Sequence, residues 1–447
     1  MKKIYSLTEG NILSSLIYFA LPVLFALFLQ ALYGGVDLLI VGQFANTADV
    51  SGVATGSMLM HTITMIVSGL AMGITILVGQ KIGEKHFVQA GRAIGGGIYL
   101  FMIFAIFLTI FLIFGAGVIA KLLHAPEEAF YQTVMYIRIS GAGSVFIIAY
   151  NVLGSIFRGI GDSKPPLITV IIACILNILG DFIFVAIFHM GASGAALATI
   201  ISQAVSVIIS FIIIKNKTLP FNFSVKNIRF NKKIIKTELK LGTPIALQEL
   251  LVGTSFLIIQ TIVNSFGVVA SAGVGVAEKV CMFIMLVPSA YMHSMSAFVA
   301  QNIGARNPQR AKKALLYGIL TSISVGIFMG YAAFFHGDIL SSIFAKDLNV
   351  VIASHDYLKA YAIDCLLTSI LFCFIGYYNG CRKTVFVMIQ GIVGAFCVRV
   401  PVVYLVSRIS GVTLFHIGLA TPCSTVIQII LCFIMFKHLE NKSKLKV

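Results

Sequence analysis

The sequence predicts an all-α integral membrane protein with twelve transmembrane helices, arranged as two pseudo-symmetric lobes of six helices each. Three observations lead to this fold class. Hydrophobic residues make up 59% of the 447 positions and charged residues only 11%, whereas a soluble domain is roughly half apolar and about a quarter charged. The apolar residues fall into twelve long runs, and the two halves of the chain repeat each other's motifs. This composition excludes an ordinary soluble enzyme, a disordered chain and a disulfide-rich secreted domain.

Each apolar run is long enough to cross a bilayer, which takes about 20 residues of α-helix. Outer-membrane strands would be about ten residues long with alternating polarity, whereas these runs are longer and uniformly apolar. In chain order the predicted spans are 11–38, 50–80, 92–118, 130–157, 165–188, 192–214, 241–265, 268–298, 312–334, 350–378, 384–407 and 413–436.

Basic residues are concentrated in alternate loops between the spans. If both termini are cytoplasmic, 25 of the 32 Lys and Arg residues lie in cytoplasmic segments and only 3 on the opposite side. Because cytoplasmic loops of membrane proteins are enriched in Lys and Arg, we expect a multi-pass protein of the cell membrane with both termini inside. The net charge of +16 then orients helices in the lipid bilayer and does not indicate nucleic-acid binding.

The second half of the chain repeats the first at an offset of 221 or 222 residues. The segment 78–98 (VGQKIGEKHFVQAGRAIGGGI) matches 299–319 (VAQNIGARNPQRAKKALLYGI), and Pro22 matches Pro244. An even number of spans in each half gives parallel repeats, an architecture typical of transporters. Three segments are expected: an N-terminal lobe at 1–214, a basic cytoplasmic linker at 215–240, and a C-terminal lobe with a short cytoplasmic tail at 241–447.

Two aspartates of the first half lie within predicted spans. Asp181 follows Asn177 by four residues, so both lie on one helix face, and Asp37 follows Gln30 by two turns. A carboxylate inside the membrane is costly, which makes it a candidate functional group. Neighbouring spans add the oxygen donors Tyr136, Asn151 and Thr199. These residues suit a site that binds H⁺ or Na⁺, although local hydrogen bonding for helix packing is the alternative for each one.

The second half contains a looser set of polar residues within spans. Glu278 and Lys279 are adjacent and therefore point to different helix faces. Lys279 and Arg399 could neutralise acids by structural charge pairing. The residues leave open whether this set binds a cation or only stabilises packing. The possible second-lobe site consists of Gln248, Glu249, Glu278, Lys279, Asp364 and Arg399.

In these motifs the chain resembles the multidrug and toxic compound extrusion (MATE) family over nearly its whole length. The resemblance rests on the duplicated halves, the paired loops 78–98 and 299–319, FRGIGDSKPP after span 4, NILGD in span 5, GASGAALAT at span 6 and RVP in span 11. It implies two six-helix lobes around a central cavity. It also implies export by alternating access, coupled to inward movement of H⁺ or Na⁺.

The chain is more similar to the DinF-like branch of that family. This likeness implies a coupling site at Asp37, Asn177 and Asp181, with accessory positions Gln30, Tyr136, Asn151 and Thr199 and a hinge at Pro22. Any Na⁺ would be held by Asp37, Asn177, Asp181 and Thr199. The NorM-like branch adds an acid in span 7 and another in span 10, where this chain has Val252 and Thr368. Whether Glu249 or Asp364 substitutes for them stays open.

The sequence therefore predicts a secondary active antiporter that exports amphipathic, mostly cationic compounds in exchange for H⁺ or Na⁺. No enzymatic activity and no cofactor are expected, and the resemblance implies a monomer. A lipid-linked saccharide flippase of the same superfamily is the main alternative. A membrane-embedded enzyme is less consistent with the chain, because the sequence contains neither D-D-x-x-D nor H-E-x-x-H. A channel is a further alternative.

Overall fold

The computed structural model describes residues 7–216 and 225–444, and every regular element in these ranges is helical. Two of these elements are π-helical, Phe182–Ile187 and Val393–Arg399. The α-helices are α1 (Ile12–Phe44), α2 (Thr47–Gly83), α3 (Phe87–Leu122), α4 (Phe130–Ala142), α5 (Ser144–Ile160), α6 (Lys164–Asp181), α7 (Gly191–Asn216), α8 (Lys232–Asn264), α9 (Val268–Ile284), α10 (Leu286–Gly304), α11 (Pro308–Phe335), α12 (Gly337–Ser342), α13 (Leu348–Gly380), α14 (Thr384–Ile392), α15 (Val400–Val406), α16 (Leu414–Gly418) and α17 (Ala420–Lys444).

The described residues confirm the predicted class of fold. Ten helical segments are long and apolar enough to cross a membrane, and two bent helix pairs pass the same test when each is taken together. Counted as one span each, the bent pairs bring the total to the twelve predicted spans. The observed helices are generally longer than the apolar runs, because polar residues extend several of them beyond the hydrocarbon-length core.

The fourth and eighth predicted spans are the two bent pairs. The pair α4 and α5, together with the preceding turn from Glu127, bends by 53°, and the pair α9 and α10 bends by 41°. Gly143 separates α4 from α5, and a Cβ at this position would overlap the side chain of Ile200. Pro288 lies in the first turn of α10, where its missing N–H cannot continue the hydrogen bonding of α9. Both breaks therefore follow from single residues.

The FRGIGDSKPP motif forms the connection between α5 and α6. Helix α5 ends at Ile160 and is capped by Gly161, whose φ of +94° lies in the left-handed region that favours glycine. Helix α6 begins at Lys164 and has proline in its first turn, where a missing N–H breaks no helical hydrogen bond. The motif thus ends one helix and starts the next within three residues.

Large apolar side chains are exposed along the helix surfaces. On α3, Phe114 is 81% exposed and Phe107 is 65% exposed. An apolar surface of this kind would be unfavourable in water, whereas the hydrocarbon of a bilayer solvates it. The exposed apolar faces and the long apolar helices together identify a multi-pass membrane protein.

Part of the predicted linker and both chain ends lie outside the described residues, at positions 1–6, 217–224 and 445–447. Helix α8 begins at Lys232, inside the segment predicted as linker. Its four lysines at 232, 233, 236 and 240 are exposed, while Glu238 and Leu241 are buried. This amphipathic pattern explains why the helix extends beyond the apolar run that starts at 241.

The contacts divide the chain into two units. The first unit contains Leu21–Ala246 and Gly304–Arg306, and the second contains Leu7–Ala20, Leu247–Ile303 and Asn307–Val447. Helices α1 and α8 therefore each contribute residues to both units. The change of unit occurs within three residues of Pro22 in α1 and of Pro244 in α8. The division of the sequence at the central linker remains a prediction.

Candidate functional site

Three helices of the first unit place polar side chains in one buried cluster. Asp37 of α1 is 8% exposed, and Asn177 and Asp181 of α6 are 1% and 0% exposed. Thr199 of α7 completes the group and is half-buried. Asn177 and Asp181 face the same way because they are one helical turn apart. We call Asp37, Asn177, Asp181 and Thr199 the acidic cluster.

Thr199 connects the side chains of the acidic cluster. Its hydroxyl donates to Oδ2 of Asp37 at 3.4 Å, and Nδ2 of Asn177 donates to the same hydroxyl oxygen at 3.4 Å. Both bonds are long, near the outer limit for a hydrogen bond. The side chains of the acidic cluster are therefore only weakly bonded to one another through Thr199.

Several oxygens of the acidic cluster have no hydrogen-bond donor in the part of the chain that the structure describes. They are both carboxylate oxygens of Asp181, Oδ1 of Asp37 and Oδ1 of Asn177. Asp181 lies within side-chain hydrogen-bonding reach of Asp37, but two carboxylates can bond to each other only if one of them holds a proton. Buried, unpaired carboxylates are unfavourable unless a proton or a cation compensates them. The oxygen-rich composition suits Na⁺ as well as H⁺.

The predicted accessory residues have different surroundings. Tyr136 is 5% exposed, packs against Gly56 of α2, and lies within electrostatic range of Asp37 and Asp181. Asn151 donates to the carbonyl of Ile147 in its own helix at 2.8 Å. The side chain of Asn151 is thus engaged in its own helix rather than in the acidic cluster.

Gln30 belongs to a neighbouring polar group instead of to the acidic cluster. Its Nε2 donates to the hydroxyl of Tyr150 at 3.0 Å. Tyr33 is within hydrogen-bonding reach of Gln203 and close to Asp37 and Tyr150. The sequence reading missed Tyr33, Tyr150 and Gln203. Helical spacing could have found two of them, because Tyr33 precedes Asp37 by four residues and Gln203 follows Thr199 by four.

A π-helical segment begins directly after Asp181, at Phe182. Such segments are rare and widen the helix locally, and they are frequent at functional sites. The corresponding span of the second half carries the other π-helical segment, which ends at Arg399. Apolar sequence patterns do not distinguish π from α geometry, so neither segment could be predicted.

The second unit brings together only part of its predicted polar set. Asp364 is 3% exposed and accepts a hydrogen bond from Thr368 at 2.9 Å. Arg399 is 6% exposed, donates to Ser255 at 3.2 Å, and has its guanidinium 4.4 Å from the ring centre of Phe256. Asp364 and Arg399 are within electrostatic range of each other. At the 222-residue offset, Arg399 stands where the first half has Asn177.

Of the remaining members, Glu278 lies within electrostatic range of Cys281, as Asp364 also does. Gln248 is 8% exposed and packs against Gly391 of α14. Glu249 and Glu278 are half-buried, and Lys279 is exposed. A buried arginine therefore lies within electrostatic range of the second unit's buried aspartate, Asp364.

The MatE family model matches the chain twice, at residues 22–183 and 244–405. The two matches are related by the same offset as Pro22 and Pro244, and together they cover more than half of the chain. The duplication inferred from the sequence is therefore a duplication of the family's own unit.

Curated relatives match over nearly the whole chain. The chain is 25% identical over 437 residues to the "Probable multidrug resistance protein YpnP" of Bacillus subtilis, covering 98% of this chain and 97% of that protein. It is 23% identical over 416 residues to the "Multidrug export protein MepA" of Staphylococcus saprophyticus, covering 92% of this chain and 91% of that protein.

Solved structures share the fold at lower sequence identity. A crystal structure of "MATE in complex with MaL6" superposes with a TM-score of 0.93 at 18% identity, covering 99% of this chain and 100% of that one. An outward-facing multidrug resistance MATE family transporter superposes with a TM-score of 0.92 at 18% identity and covers 100% of both chains. The double match of the family model, supported by these likenesses, shows that the chain belongs to the MatE family.

Proposed function

We propose that the protein is a secondary active multidrug efflux antiporter. It exports amphipathic, mostly cationic compounds and takes up H⁺ or Na⁺ in exchange at the acidic cluster. The observation that carries this proposal is the pair of buried aspartates, Asp37 and Asp181. Among the described residues, no Lys, Arg or His is hydrogen-bonded or ion-paired with either carboxylate. The names of YpnP and MepA, a multidrug resistance and a multidrug export protein, support the substrate class.

The acidic cluster couples ion and drug through its net charge. Without a bound ion, the cluster carries excess negative charge in an apolar surrounding, which favours a cationic drug nearby. A bound H⁺ or Na⁺ removes that charge, draws the side chains of α1, α6 and α7 together, and lowers the affinity for the drug. Pro22 makes α1 easier to bend, because proline cannot donate a helical hydrogen bond. No covalent chemistry and no cofactor enter this cycle.

We further propose that both termini are cytoplasmic, that the protein lies in the cell membrane as a monomer, and that coupling takes place in the first unit, as in the DinF-like branch. The distribution of basic residues supports the orientation. The buried Arg399 supports the choice of unit, because its positive charge already offsets Asp364.

The test is uphill transport by the full chain in proteoliposomes. Efflux of a fluorescent organic cation is followed with a pH gradient or a Na⁺ gradient imposed separately. We expect one of the two gradients to drive accumulation in the wild-type protein. Asp37→Asn and Asp181→Asn should abolish it, since neither amide can take up a proton or supply an anionic ligand. Glu128→Gln is the matched control, because Glu128 is exposed in the loop between α3 and α4.

Three outcomes would contradict the proposal. Uphill transport retained in both aspartate variants would remove the acidic cluster from the mechanism. Flux that occurs only down the drug gradient would indicate a channel. Transfer of a labelled lipid-linked saccharide across the bilayer, without drug transport, would favour the flippase alternative.

A further inference from the structure

Helices α2 and α8 pack backbone against backbone in the first unit. A Cβ at Gly69 would lie 2.7 Å from Cα of Ala246, and one at Gly73 would lie 2.5 Å from the carbonyl oxygen of Glu238. A Cβ at Gly242 would overlap the carbonyl of Leu70. Small residues four apart on both helices allow this approach, as in other close helix pairs of membrane proteins. We call this contact the glycine seam.

The side chain of Glu238 is enclosed at the end of the glycine seam. Glu238 precedes Gly242 by one turn and is only 1% exposed. On its other side lies α3, where a Cβ at Gly97 would be 3.3 Å from Oε1 of Glu238. Within residues 7–216 and 225–444, neither carboxylate oxygen of Glu238 has a hydrogen-bond partner. The carboxyl group thus lies against Gly97 of α3, while the backbone of the same residue lies against Gly73 of α2.

The charged and titratable groups of the surrounding elements point elsewhere. Lys81 of α2 pairs with Glu84 at 2.6 Å. Arg158 of α5 donates to the hydroxyl of Ser155. Tyr99 of α3 packs against the ring of Phe230. Asp49 of α2 is half-buried and accepts from the backbone N–H of Ala192. Exposed side chains on these and adjoining elements are His61, Lys85, His86, Arg92, Lys121, Lys226, Arg229, Lys232, Lys233, Lys236 and Lys240. In the described residues, none of these groups is bonded to Glu238.

An ionised carboxylate in this position would be buried without a counter-charge or a donor, which costs several kcal/mol. The closed seam is therefore compatible only with a protonated Glu238. Ionisation would require water around the carboxylate. Movement of α8 away from the glycines of α2 and α3 would admit that water, so proton binding would favour closure of the seam.

We propose that Glu238 is a second proton-binding site of this protein, which closes the glycine seam when it is loaded and opens it when it is empty. This site is separate from the acidic cluster. Gly73 at the seam and Gly56 beside Tyr136 are 17 residues apart on α2, about 25 Å along a helix. Helix α8 continues into the second unit, and the seam determines how firmly the N-terminal half of α8 is held against α2.

The site can be tested in the full chain in lipid nanodiscs without any drug. In wild-type protein, hydrogen exchange of residues 234–246, corrected for the intrinsic pH dependence of exchange, should lose protection as pH rises. Above the pH at which protection begins to fall, the protection factor should decrease by about tenfold per pH unit, which is the slope for release of one proton. Glu238→Gln keeps the shape but cannot ionise, so its protection should stay high at every pH. Glu128→Gln should behave like the wild type.

A second measurement keeps the proposal testable if Glu238→Gln does not fold. Infrared difference spectra should show the carbonyl band of a protonated carboxyl group that disappears in Glu238→Gln and shifts in Glu238→Asp. Gly73→Ala should separate α8 from α2 and abolish the high protection at low pH, whereas Gly117→Ala, whose Cβ meets nothing within 4 Å, should not. A wild-type pH profile in Glu238→Gln, or an unchanged infrared band, would overturn the proposal. Both measurements are independent of transport, so failure of the antiport test leaves them valid.

Discussion

Thr199 is the residue through which α7 reaches the carboxylate of Asp37. Its single hydroxyl accepts from Asn177 and donates to Asp37. Loss of this hydroxyl would remove one oxygen from the cluster while leaving both carboxylates in place. A variant of Thr199 is therefore expected to change how tightly the coupling ion binds, while both carboxylates that bind it remain.

We expect Thr199→Val to weaken binding of the coupling ion about tenfold, because one hydrogen bond or ligand contact to a charged group contributes roughly 1.5 kcal/mol to binding. The half-saturating Na⁺ concentration, or the midpoint pH of transport, should shift accordingly, with maximal transport retained. Thr62→Val is the control, since the hydroxyl of Thr62 donates only to the carbonyl of Met58 in its own helix. Equal shifts in both variants would argue against a role for Thr199.

Arg399 and Asp364 lie within electrostatic range of each other in the second unit. Replacement of Arg399 by Met should destabilise the protein by about 3 kcal/mol, because Asp364 would be left buried without a counter-charge. Adding Asp364→Asn should restore part of the melting temperature in detergent. If the double variant were no more stable than Arg399→Met, the two charges would not be coupled.

The sequence located the first-unit aspartates but not Glu238, and the difference has a physical cause. Asp37 and Asp181 stand within long apolar runs, so each departs from the apolar pattern that predicts a span. Glu238 lies among lysines in a segment whose average is polar, so it was assigned to the linker. Its burial depends on glycines from two other helices, which no local pattern in α8 reveals.

At the level of helices, the spans were predictable and their interruptions were not. Apolar length sets the spans, because the bilayer thickness is fixed. The break at Gly143, where a Cβ would overlap Ile200, and the two π-helical segments depend on how neighbouring helices pack. Pro288 is an exception, since proline within a helix weakens it in any surrounding. Helix α1, by contrast, continues through Pro22.

We expect Pro22→Ala to slow transport several-fold, because alanine restores a backbone donor and stiffens α1. Drug affinity at equilibrium should change little. Pro308→Ala is the matched control, since Pro308 lies in the first turn of α11 and costs no helical hydrogen bond. Unchanged rates in Pro22→Ala would show that α1 need not bend at this position.

For the whole molecule, the antiport proposal requires drug and coupling ion to weaken each other's binding by the same factor. Titration of a fluorescent cation against purified protein should give a dissociation constant that rises with Na⁺ concentration or with acidity. Asp181→Asn should bind the drug with an affinity that no longer depends on the ion. Drug binding that is indifferent to both ions in the wild type would contradict this coupling.

The shared helices also bear on how the halves of the chain could exist separately. A fragment of residues 1–220 would lack the N-terminal half of α8, which belongs to the first unit. A fragment of residues 221–447 would lack the start of α1, which belongs to the second unit. Neither fragment is a complete folding unit, so co-expression should be needed to recover assembled protein. By the same logic, a half-length ancestor of this duplicated chain would have assembled as a dimer with exchanged helix ends, as in domain swapping.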